Sequence, residues 1–192
     1  MPDRPHLCVF CGSRPGNDGA YPEAARRVGR ELARRGMGLV TGGGRVGLMG
    51  VVADAALAEG GRVVGVIPEA LSDREIAHLG LTELLVVPGM HERKALMAAR
   101  SSAFLALPGG VGTFEEFFEI VTWSVLGIHR KPIGLLNVSG YYDPLVALLD
   151  RAQADGFLRP EHRRMVLVSG DPEGLVGRLT DDGSSVDPAP GI

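Results

Sequence analysis

The sequence predicts an α/β protein with a doubly wound, mainly parallel sheet flanked by helices. Short apolar segments alternate with longer segments of helical periodicity along most of the chain, and this alternation is typical of β-α-β units. Glycine-rich loops follow several of the apolar segments. In doubly wound folds the ligand lies beyond the carboxyl ends of the strands, so these loops are candidate binding loops.

The composition is that of an ordinary globular domain. With 192 residues, of which 45% are apolar and 22% charged, we expect one α/β domain over residues 1–180. Residues 181–192 are rich in Asp, Ser, Pro and Gly and predict a disordered tail. The formal net charge of −3 gives no support to nucleic-acid binding. Because no apolar run could span a bilayer and the N-terminus does not resemble a signal peptide, we expect no membrane contact and a cytoplasmic location.

Each predicted element follows from its apolar spacing and its flanking turn residues. Short apolar runs predict strands at residues 7–10, 37–40, 62–67, 84–87, 103–107, 132–137 and 165–168. Helical periodicity predicts helices at residues 21–35, 47–59, 90–100, 113–126, 144–155 and 171–179. In the first helix, Ala24, Val28 and Leu32 share one face. Residues 69–80 are polar and predict a loop or a short helix at the ligand end of the sheet.

The two cysteines, Cys8 and Cys11, form a C-x-x-C pattern, which is compatible with a redox pair or with half of a zinc site. A strand explains the pattern better, because residues three apart on a strand point to opposite faces. A thioredoxin-like motif would open a helix, and no second Cys or His cluster completes a zinc site. The five histidines show no metal-ligand spacing, so we expect no metal.

The strongest local pattern is the loop from Leu107 to Glu116, between a predicted strand and a predicted helix. Its three glycines let the backbone approach a ligand closely, and the free N–H groups at a helix start bind anions such as phosphate. Thr113 and Glu116 have the spacing of a capping box, with Thr113 at N-cap and Glu116 at N3. Glu116 then either caps the helix only or also reaches a bound sugar.

A second glycine pattern leaves two interpretations open. Gly42-x-Gly44-x-x-Gly47 lies between a strand and a helix, and Glu69 lies at the end of the next strand. This arrangement is compatible with the dinucleotide site of a dehydrogenase. The alternative is a tight turn that lets the strand and the helix pack closely.

The pair Arg93-Lys94 lies near the start of a predicted helix, where the helix dipole disfavours cations. An anionic partner would explain the pair, and a solvated surface pair is the alternative. The helix over residues 113–126 is apolar nearly all round, which is typical of a buried helix. Its outer face therefore needs cover, either from a partner subunit or from the C-terminal segment.

Together these stretches resemble the LONELY GUY family, the cytokinin riboside 5'-monophosphate phosphoribohydrolases, whose members are often labelled possible lysine decarboxylases. The resemblance covers residues 6–170 and keeps several motifs in the same order. These motifs are Cys11-Gly12-Ser13, Gly42-Gly43-Gly44-x-x-Gly47-Leu48-Met49-Gly50, Met90-His91-Glu92-Arg93-Lys94, Pro108-Gly109-Gly110-x-Gly112-Thr113-x-x-Glu116, Thr122-Trp123, Leu126-Gly127-Ile128-His129 and Lys131-Pro132.

The resemblance implies a Rossmann-like fold, a homodimer and a hydrolase that needs no cofactor. Its reaction would cleave the N-glycosidic bond of cytokinin nucleoside 5'-monophosphates, and also of AMP, to release free base and ribose 5-phosphate. Arg93 and Glu116 match the catalytic positions. Substrate-contacting positions match Gly12, Ser13, Gly43, Gly44, Glu75, Met90, Lys94, Gly109, Gly110, Val111, Gly112, Thr113 and Thr122.

A non-catalytic nucleotide carrier or sensor is the rival function, because one fold can bind a ligand without cleaving it. The presence of both Arg93 and Glu116 argues against it, since a binder needs only the phosphate loop. The decarboxylase label conflicts with the residues, because a pyridoxal phosphate enzyme needs a Schiff-base lysine. The only lysines are Lys94, in a phosphate-contacting motif, and Lys131, next to Pro132.

Overall fold

The structure, a computed structural model, describes residues 5–72 and 76–181. The strands in these residues are β1 (His6–Phe10), β2 (Gly38–Thr41), β3 (Val63–Pro68), β4 (Glu83–Val87), β5 (Ala103–Ala106), β6 (Ile133–Leu136) and β7 (Val166–Ser169). They form one sheet in the order β4-β3-β2-β1-β5-β6-β7, and each pair is parallel. The predicted doubly wound parallel sheet is therefore confirmed.

Helices connect successive strands and cover both faces of the sheet. They are α1 (Ala20–Arg34), α2 (Gly47–Ala58), α3 (Glu69–Leu71), α4 (Met90–Ala99), α5 (Val111–Val125), α6 (Asp143–Ala154), α7 (Pro160–Arg164) and α8 (Pro172–Thr180). A short 3-10 turn, Val138–Gly140, precedes α6. The predicted strands and helices are present within two residues at each end. The short helix α7 was not predicted, because its polar and charged sequence has no apolar periodicity.

The apolar pattern of each helix decides which layer it joins. Ala24, Val28 and Leu32 of α1 are buried as predicted, and they pack in one layer with residues of α2 and α8. Helices α4 and α5 bury their apolar residues in the layer on the opposite face. The sheet is thus covered on both sides, which explains why its central strands are continuous apolar runs.

The two cysteines confirm the strand interpretation of the C-x-x-C pattern. Cys8 packs in the layer that contains Phe117, whereas Cys11 packs in the opposite layer with Leu48. Both are free thiols, and burial raises the pKa of each well above its ordinary value. Both side chains therefore serve the core. Within residues 5–72 and 76–181, no group of three or more His, Cys, Asp or Glu residues could hold a metal ion.

The strand order changes direction between β1 and β5, which pair with each other at the centre of the sheet. The chain leaves β1 toward α1 and leaves β5 toward α5, and these helices cover opposite faces. A crevice therefore opens at the carboxyl ends of β1 and β5, where doubly wound folds bind ligands. Its two loops are joined by a hydrogen bond from Gly12 N to Pro108 O of 3.1 Å.

The last described helix, α8, packs on the face of the sheet opposite α5. Helix α8 lies against α1, with Leu175, Val176 and Leu179 in the same layer as α1 and α2. Residues 182–192, which make up most of the predicted tail, lie outside the described residues. None of the helices in the described ranges is long and apolar enough to cross a membrane.

Candidate active site

Arg93 is the fourth residue of α4 and points into the interior at the carboxyl edge of the sheet. Its side chain is buried, and its Nε donates a hydrogen bond to Val66 O, at 3.1 Å, in β3. The loop after β2 makes room for the guanidinium, because a Cβ at Gly42 would overlap Nη2 of Arg93. A backbone carbonyl and a glycine therefore hold this cation in one position.

The partner of Arg93 is Glu116, which lies in the second turn of α5. Nη1 of Arg93 donates to Oε1 of Glu116 at 2.9 Å, and both side chains are at least nine-tenths buried. Burial raises the pKa of Glu116, and the charge of Arg93 offsets that rise only in part. The structure thus places a carboxyl group of raised proton affinity beside a fixed guanidinium.

The predicted capping box at the start of α5 is wrong. The helix begins at Val111, two residues earlier than predicted, and its N-cap is Gly110. Thr113 is therefore the third helical residue and Glu116 the sixth, so Glu116 has no capping role. Glycine is an accepted N-cap residue, and the extended backbone of Gly110 (φ −97°, ψ −157°) lets the helix start sooner. The carboxylate of Glu116 is instead directed at Arg93.

The loop Pro108–Gly112 has the geometry of an anion site. The first hydrogen bond within α5 runs from Phe114 N to Gly110 O, at 3.1 Å, so the three amides before Phe114 precede the helical hydrogen-bond ladder. Around Gly110 and Gly112 there is open space, since a Cβ at either would meet no atom within 4 Å. These amides are free to face a ligand, and the helix dipole favours an anion there.

A cleft of about 380 Å³ lies beside this loop, between the loop after β1 and the loop after β6. Four of the predicted substrate contacts line it together, namely Gly12, Ser13, Gly109 and Gly110. The rest of the wall comes mainly from the segment 14–16 and from Tyr21, Leu48 and Tyr141. The predicted loops after β1 and β5 therefore do meet in one concave site.

Two predicted contacts, Lys94 and Thr122, are engaged elsewhere within the chain. Nζ of Lys94 donates to Glu115 and, at 3.0 Å, to Glu119. Burial lowers the pKa of Lys94, but the two carboxylates more than offset this effect. The hydroxyl of Thr122 donates to Phe118 O of its own helix at 2.7 Å, and Thr122 lies about 9 Å along the helix axis from the position of Glu116.

Of the remaining predicted contacts, Met90 lies next to Arg93, Gly43 and Gly44 lie in the loop after β2, and one lies beyond the described residues. Met90 is half-exposed, and its sulfur lies 3.9 Å from Nη1 of Arg93. Gly43 and Gly44 belong to the loop after β2, and Gly44 N donates to the sulfur of Met49 at 3.1 Å. The predicted contact Glu75 lies outside the described residues.

The glycine pattern at residues 42–47 serves the packing of two loops. It follows β2, one strand away from the crevice between β1 and β5. Gly47 has a positive φ of 62° and a Cβ there would overlap the backbone of Ser13, while Leu48 N donates to Gly12 O at 3.0 Å. This geometry favours the tight-turn interpretation over a dehydrogenase site.

Sequence reasoning missed two tyrosines that hydrogen-bond to the backbone at and just before the loop Pro108–Gly112. The hydroxyl of Tyr142 donates to Leu107 O at 2.6 Å, and the hydroxyl of Tyr141 donates to Gly109 O. Their only signal in the sequence is a pair of adjacent tyrosines shortly after the end of a predicted strand. That end belongs to β6, whose carboxyl edge lies next to the crevice.

The fold and the crevice define a Rossmann-like α/β protein with a glycine-rich loop at the start of α5. Residues 49–179 match the family described as possible lysine decarboxylase. A probable cytokinin riboside 5'-monophosphate phosphoribohydrolase of Oryza sativa subsp. japonica is 54% identical over 90% of this chain and 78% of its own length. The phosphoribohydrolase of the same name from Rhodococcoides fascians is 53% identical over 90% and 88%. The chain therefore belongs to the family of the cytokinin riboside 5'-monophosphate phosphoribohydrolases.

Solved structures share the fold at lower sequence identity. The molybdenum cofactor binding protein of Rippkaea orientalis has a TM-score of 0.72 and 20% identity, over 94% of this chain and 98% of its own. The molybdenum cofactor carrier protein of Chlamydomonas reinhardtii has a TM-score of 0.70 and 22% identity, over 93% and 97%. At this identity the likeness shows the architecture alone.

Proposed function

We propose that this protein hydrolyses the N-glycosidic bond of nucleoside 5'-monophosphates, with cytokinin ribosides and AMP as substrates. The observation that carries the proposal is the buried pair of Arg93 and Glu116, whose carboxylate lies on the helix that the loop Pro108–Gly112 opens. A site that only binds a nucleotide needs the loop amides but not a buried carboxylate held by a guanidinium. The names of the family's relatives support the same reaction.

The proposed reaction breaks the bond between C1′ of the ribose and a nitrogen of the base. The base leaves with the bonding electrons and gains a proton, while a water adds its oxygen to C1′ and loses a proton. Positive charge develops on the sugar during this step. The carboxylate of Glu116 stabilises that charge or accepts the proton of the water, and Arg93 orients the carboxylate and the water.

The phosphate loop supplies the binding energy in this proposal. The amides of Val111, Gly112 and Thr113 hold the 5'-phosphate, and Gly109 and Gly110 let it approach the backbone. The remaining groups proposed to contact the substrate are Gly12, Ser13, Gly43, Gly44, Glu75 and Met90.

Lys94 and Thr122 can contact the substrate only if the contacts of this single chain change. Lys94 reaches the substrate only by releasing Glu115 or Glu119, which hold it in this structure. Thr122 lies on the outer face of α5, so it contacts substrate only across a subunit interface. In the isolated chain, Lys94 is better placed to hold α4 against α5 than to bind a phosphate.

A homodimer is part of the proposal and is supported by the outer face of α5. Phe118, Leu126 and Ile128 on or just after this helix are exposed in the single chain. A groove of about 250 Å³ beside them is lined by Phe118, Val121, Thr122, Val125, Leu149, Leu158, His162, Arg163 and Val166. An exposed apolar patch of this kind is typical of a protein interface.

We further propose a cytoplasmic location and no nucleic-acid partner. The two free cysteines suit a reducing compartment. The formal net charge of −3 does not favour association with a polyanion such as nucleic acid.

The positions of the lysines argue against lysine decarboxylation. The amine of Lys94 is held by two carboxylates. Nζ of Lys131 donates to Ala98 O at 2.7 Å at the amino end of β6, the sheet edge opposite the crevice. A pyridoxal phosphate enzyme needs a free lysine amine at its site, and neither side chain provides one there.

The test is incubation of the protein with AMP and with N6-isopentenyladenosine monophosphate, followed by chromatography for free base. We expect base release from both, and a loss of about 10²- to 10³-fold in kcat for Glu116→Gln, as for removal of one charged transition-state contact. Glu31→Gln is the matched control. Glu31 is also a buried carboxylate paired with arginines, but it lies near the end of α1, remote from the crevice.

Each of the other outcomes would indicate a different function or a different role for Glu116. Binding of both nucleotides without release of base would indicate a nucleotide carrier or sensor. Reduction of NAD by a hydroxylated substrate would indicate a dehydrogenase. A Glu116→Gln variant as active as the wild type would refute the role given to Glu116 while leaving the reaction itself in place.

A further inference from the structure

The phosphate loop is held from outside by hydrogen bonds to three consecutive carbonyls. The hydroxyl of Tyr142 donates to Leu107 O at 2.6 Å, and the hydroxyl of Tyr141 donates to Gly109 O. The carbonyl between them, Pro108 O, accepts a bond of 3.1 Å from the loop after β1. All three oxygens of this short segment are thus tied to neighbouring loops before α5 begins.

The direction of a carbonyl sets the direction of the next amide. In a planar trans peptide, the C=O and the N–H that follows it point in opposite directions, and no cis peptide occurs in the described residues. The bond to Gly109 O therefore aims the N–H of Gly110 away from Tyr141. Gly110 is the N-cap of α5, so its orientation also sets that of the three amides that follow.

The loop between β6 and α6 holds the two tyrosines in place. Tyr142 N donates to Oδ1 of Asn137 at 2.7 Å, and Nδ2 of Asn137 donates to Oδ1 of Asp143 at 2.7 Å. Ser139 in the same loop adopts a left-handed conformation, with φ of 51°. Such a conformation is costly for a residue with a side chain and persists only where the surroundings enforce it.

The rings of the two tyrosines are also held, by packing against other aromatic side chains. Tyr142 is 1% exposed and packs edge-on against Phe114 of α5, with ring centroids 6.4 Å apart. Tyr141 packs edge-on against Tyr21, with centroids 5.7 Å apart. Burial raises the pKa of Tyr142, so its hydroxyl keeps its proton and remains a donor at physiological pH.

We propose that Tyr141 and Tyr142 are positioning residues of the phosphate subsite. Tyr141 aims the Gly110 amide by holding Gly109 O. Tyr142 anchors the start of the loop by holding Leu107 O, since the next residue, Pro108, has no N–H to aim. This inference rests on the proposed function. Neither hydroxyl touches the reacting atoms, and each acts through the backbone of the loop. The tyrosines therefore determine affinity for the phosphate group rather than the rate of bond cleavage.

The test uses Tyr141→Phe and Tyr142→Phe, which remove one hydroxyl each and keep the packed ring. We expect KM for N6-isopentenyladenosine monophosphate to rise about 3- to 10-fold in each variant, the effect of losing one hydrogen bond. The Kd for ribose 5-phosphate, measured by calorimetry, should rise by the same factor, while kcat changes less than about twofold.

Ser101→Ala is the matched control for these variants. It also removes a buried hydroxyl that donates to a backbone carbonyl, Met97 O, at 2.8 Å, but at the amino edge of the sheet. Its melting temperature should fall while KM and Kd stay at their wild-type values. Tyrosine variants that behave in the same way, with a lower melting temperature and unchanged KM and Kd, would overturn the proposal.

The measurement also separates this proposal from the proposed function. If the wild-type protein binds AMP but releases no base, the hydrolase is refuted, and the Kd for AMP then serves in place of KM. An increase of about 3- to 10-fold in that Kd would still support the positioning role. If the wild-type protein binds neither AMP nor ribose 5-phosphate, both proposals fall.

Discussion

Glu116 is subject to two opposing electrostatic effects. Burial raises the pKa of its carboxyl group, and the guanidinium of Arg93 lowers it by a smaller amount. Nearby charges act in both directions, because Glu115 raises the pKa and Lys94 lowers it. The net direction is upward, so this carboxyl group takes up a proton at a higher pH than an ordinary glutamate does, for which the pKa is about 4.3.

We predict that this raised pKa sets the acidic limb of the pH–rate profile. The proposed role needs the ionised carboxylate, so activity is present above the raised pKa and is lost as the pH falls through it. Arg93→Met removes the charge that lowers the pKa, and it should move the acidic limb to still higher pH as well as lowering kcat. Profiles of kcat/KM for wild type and variant measure the shift.

The comparison of the two profiles has an internal control. The 5'-phosphate of the substrate titrates near pH 6, as phosphate monoesters do, and contributes equally to both profiles. A difference between them therefore reports on the protein. Acidic limbs that coincide would contradict the coupling of Glu116 to Arg93.

Among the secondary-structure elements, the contact of the loop after β2 with α4 decides where Arg93 lies. The backbone at Gly42 occupies the space next to Nη2 of Arg93, and a Cβ there would overlap that nitrogen. The guanidinium is also bonded to β3, because its Nε donates to Val66 O. These two contacts restrict the guanidinium, so the loop after β2 helps to set the position of the pair Arg93 and Glu116.

We predict that Gly42→Ala lowers kcat/KM about 100-fold, because it displaces the guanidinium from Glu116 by an ångström or more. Steady-state kinetics of base release measure the effect, and thermal unfolding checks that the variant is folded. Gly19→Ala is the control, since a Cβ at this exposed position before α1 meets no atom within 4 Å. A folded Gly42→Ala variant with wild-type kinetics would be evidence against the close approach.

The start of α5 shows where local sequence rules reach their limit. Thr113 and Glu116 have the spacing of a capping box, yet the helix starts at Val111, with Gly110 as its N-cap, because the loop before it is held by β1 and by the loop after β6. Capping preferences are worth only about 1 kcal/mol. Several tertiary hydrogen bonds and the ion pair with Arg93 outweigh such a preference.

For the whole molecule, the surface that most needs explaining is the outer face of α5, which exposes apolar side chains. Phe117, Ile120 and Val121 bury the inner face against the sheet, but Phe118 and Leu126 are exposed in the single chain. Of the two sources of cover expected from the sequence, the described C-terminal helix α8 packs on the opposite layer. A second copy of the chain remains the cover that we propose.

We predict that the protein has twice the 20.3 kDa mass of the chain in solution, as measured by light scattering after gel filtration. Leu126→Asp places a charge on the outer face of α5 and should shift the protein to monomers. Val86→Asp, on the edge strand β4, is the control, because Val86 is 52% exposed and Leu126 is 56% exposed. A monomeric wild-type protein, or an unchanged dimer in Leu126→Asp, would contradict the proposed surface.

The sequence by itself determined the fold class of this protein and predicted the edge of the sheet at which we propose that the substrate binds. Apolar spacing located each strand and the longer helices, because the residues that face the core recur with the period of a strand or a helix. Alternation of strands and helices implied parallel pairing, and the glycine loops after β1 and β5 marked the ligand edge.

Only the tertiary structure decided which partner each polar group takes. Arg93 meets Glu116 and Lys94 meets Glu119 because α4 and α5 pack side by side on one face of the sheet. The hydroxyl of Tyr141 reaches Gly109 O because β6 lies next to β5. These contacts join segments that are distant along the chain, and their formation depends on packing between whole elements, which no local pattern encodes.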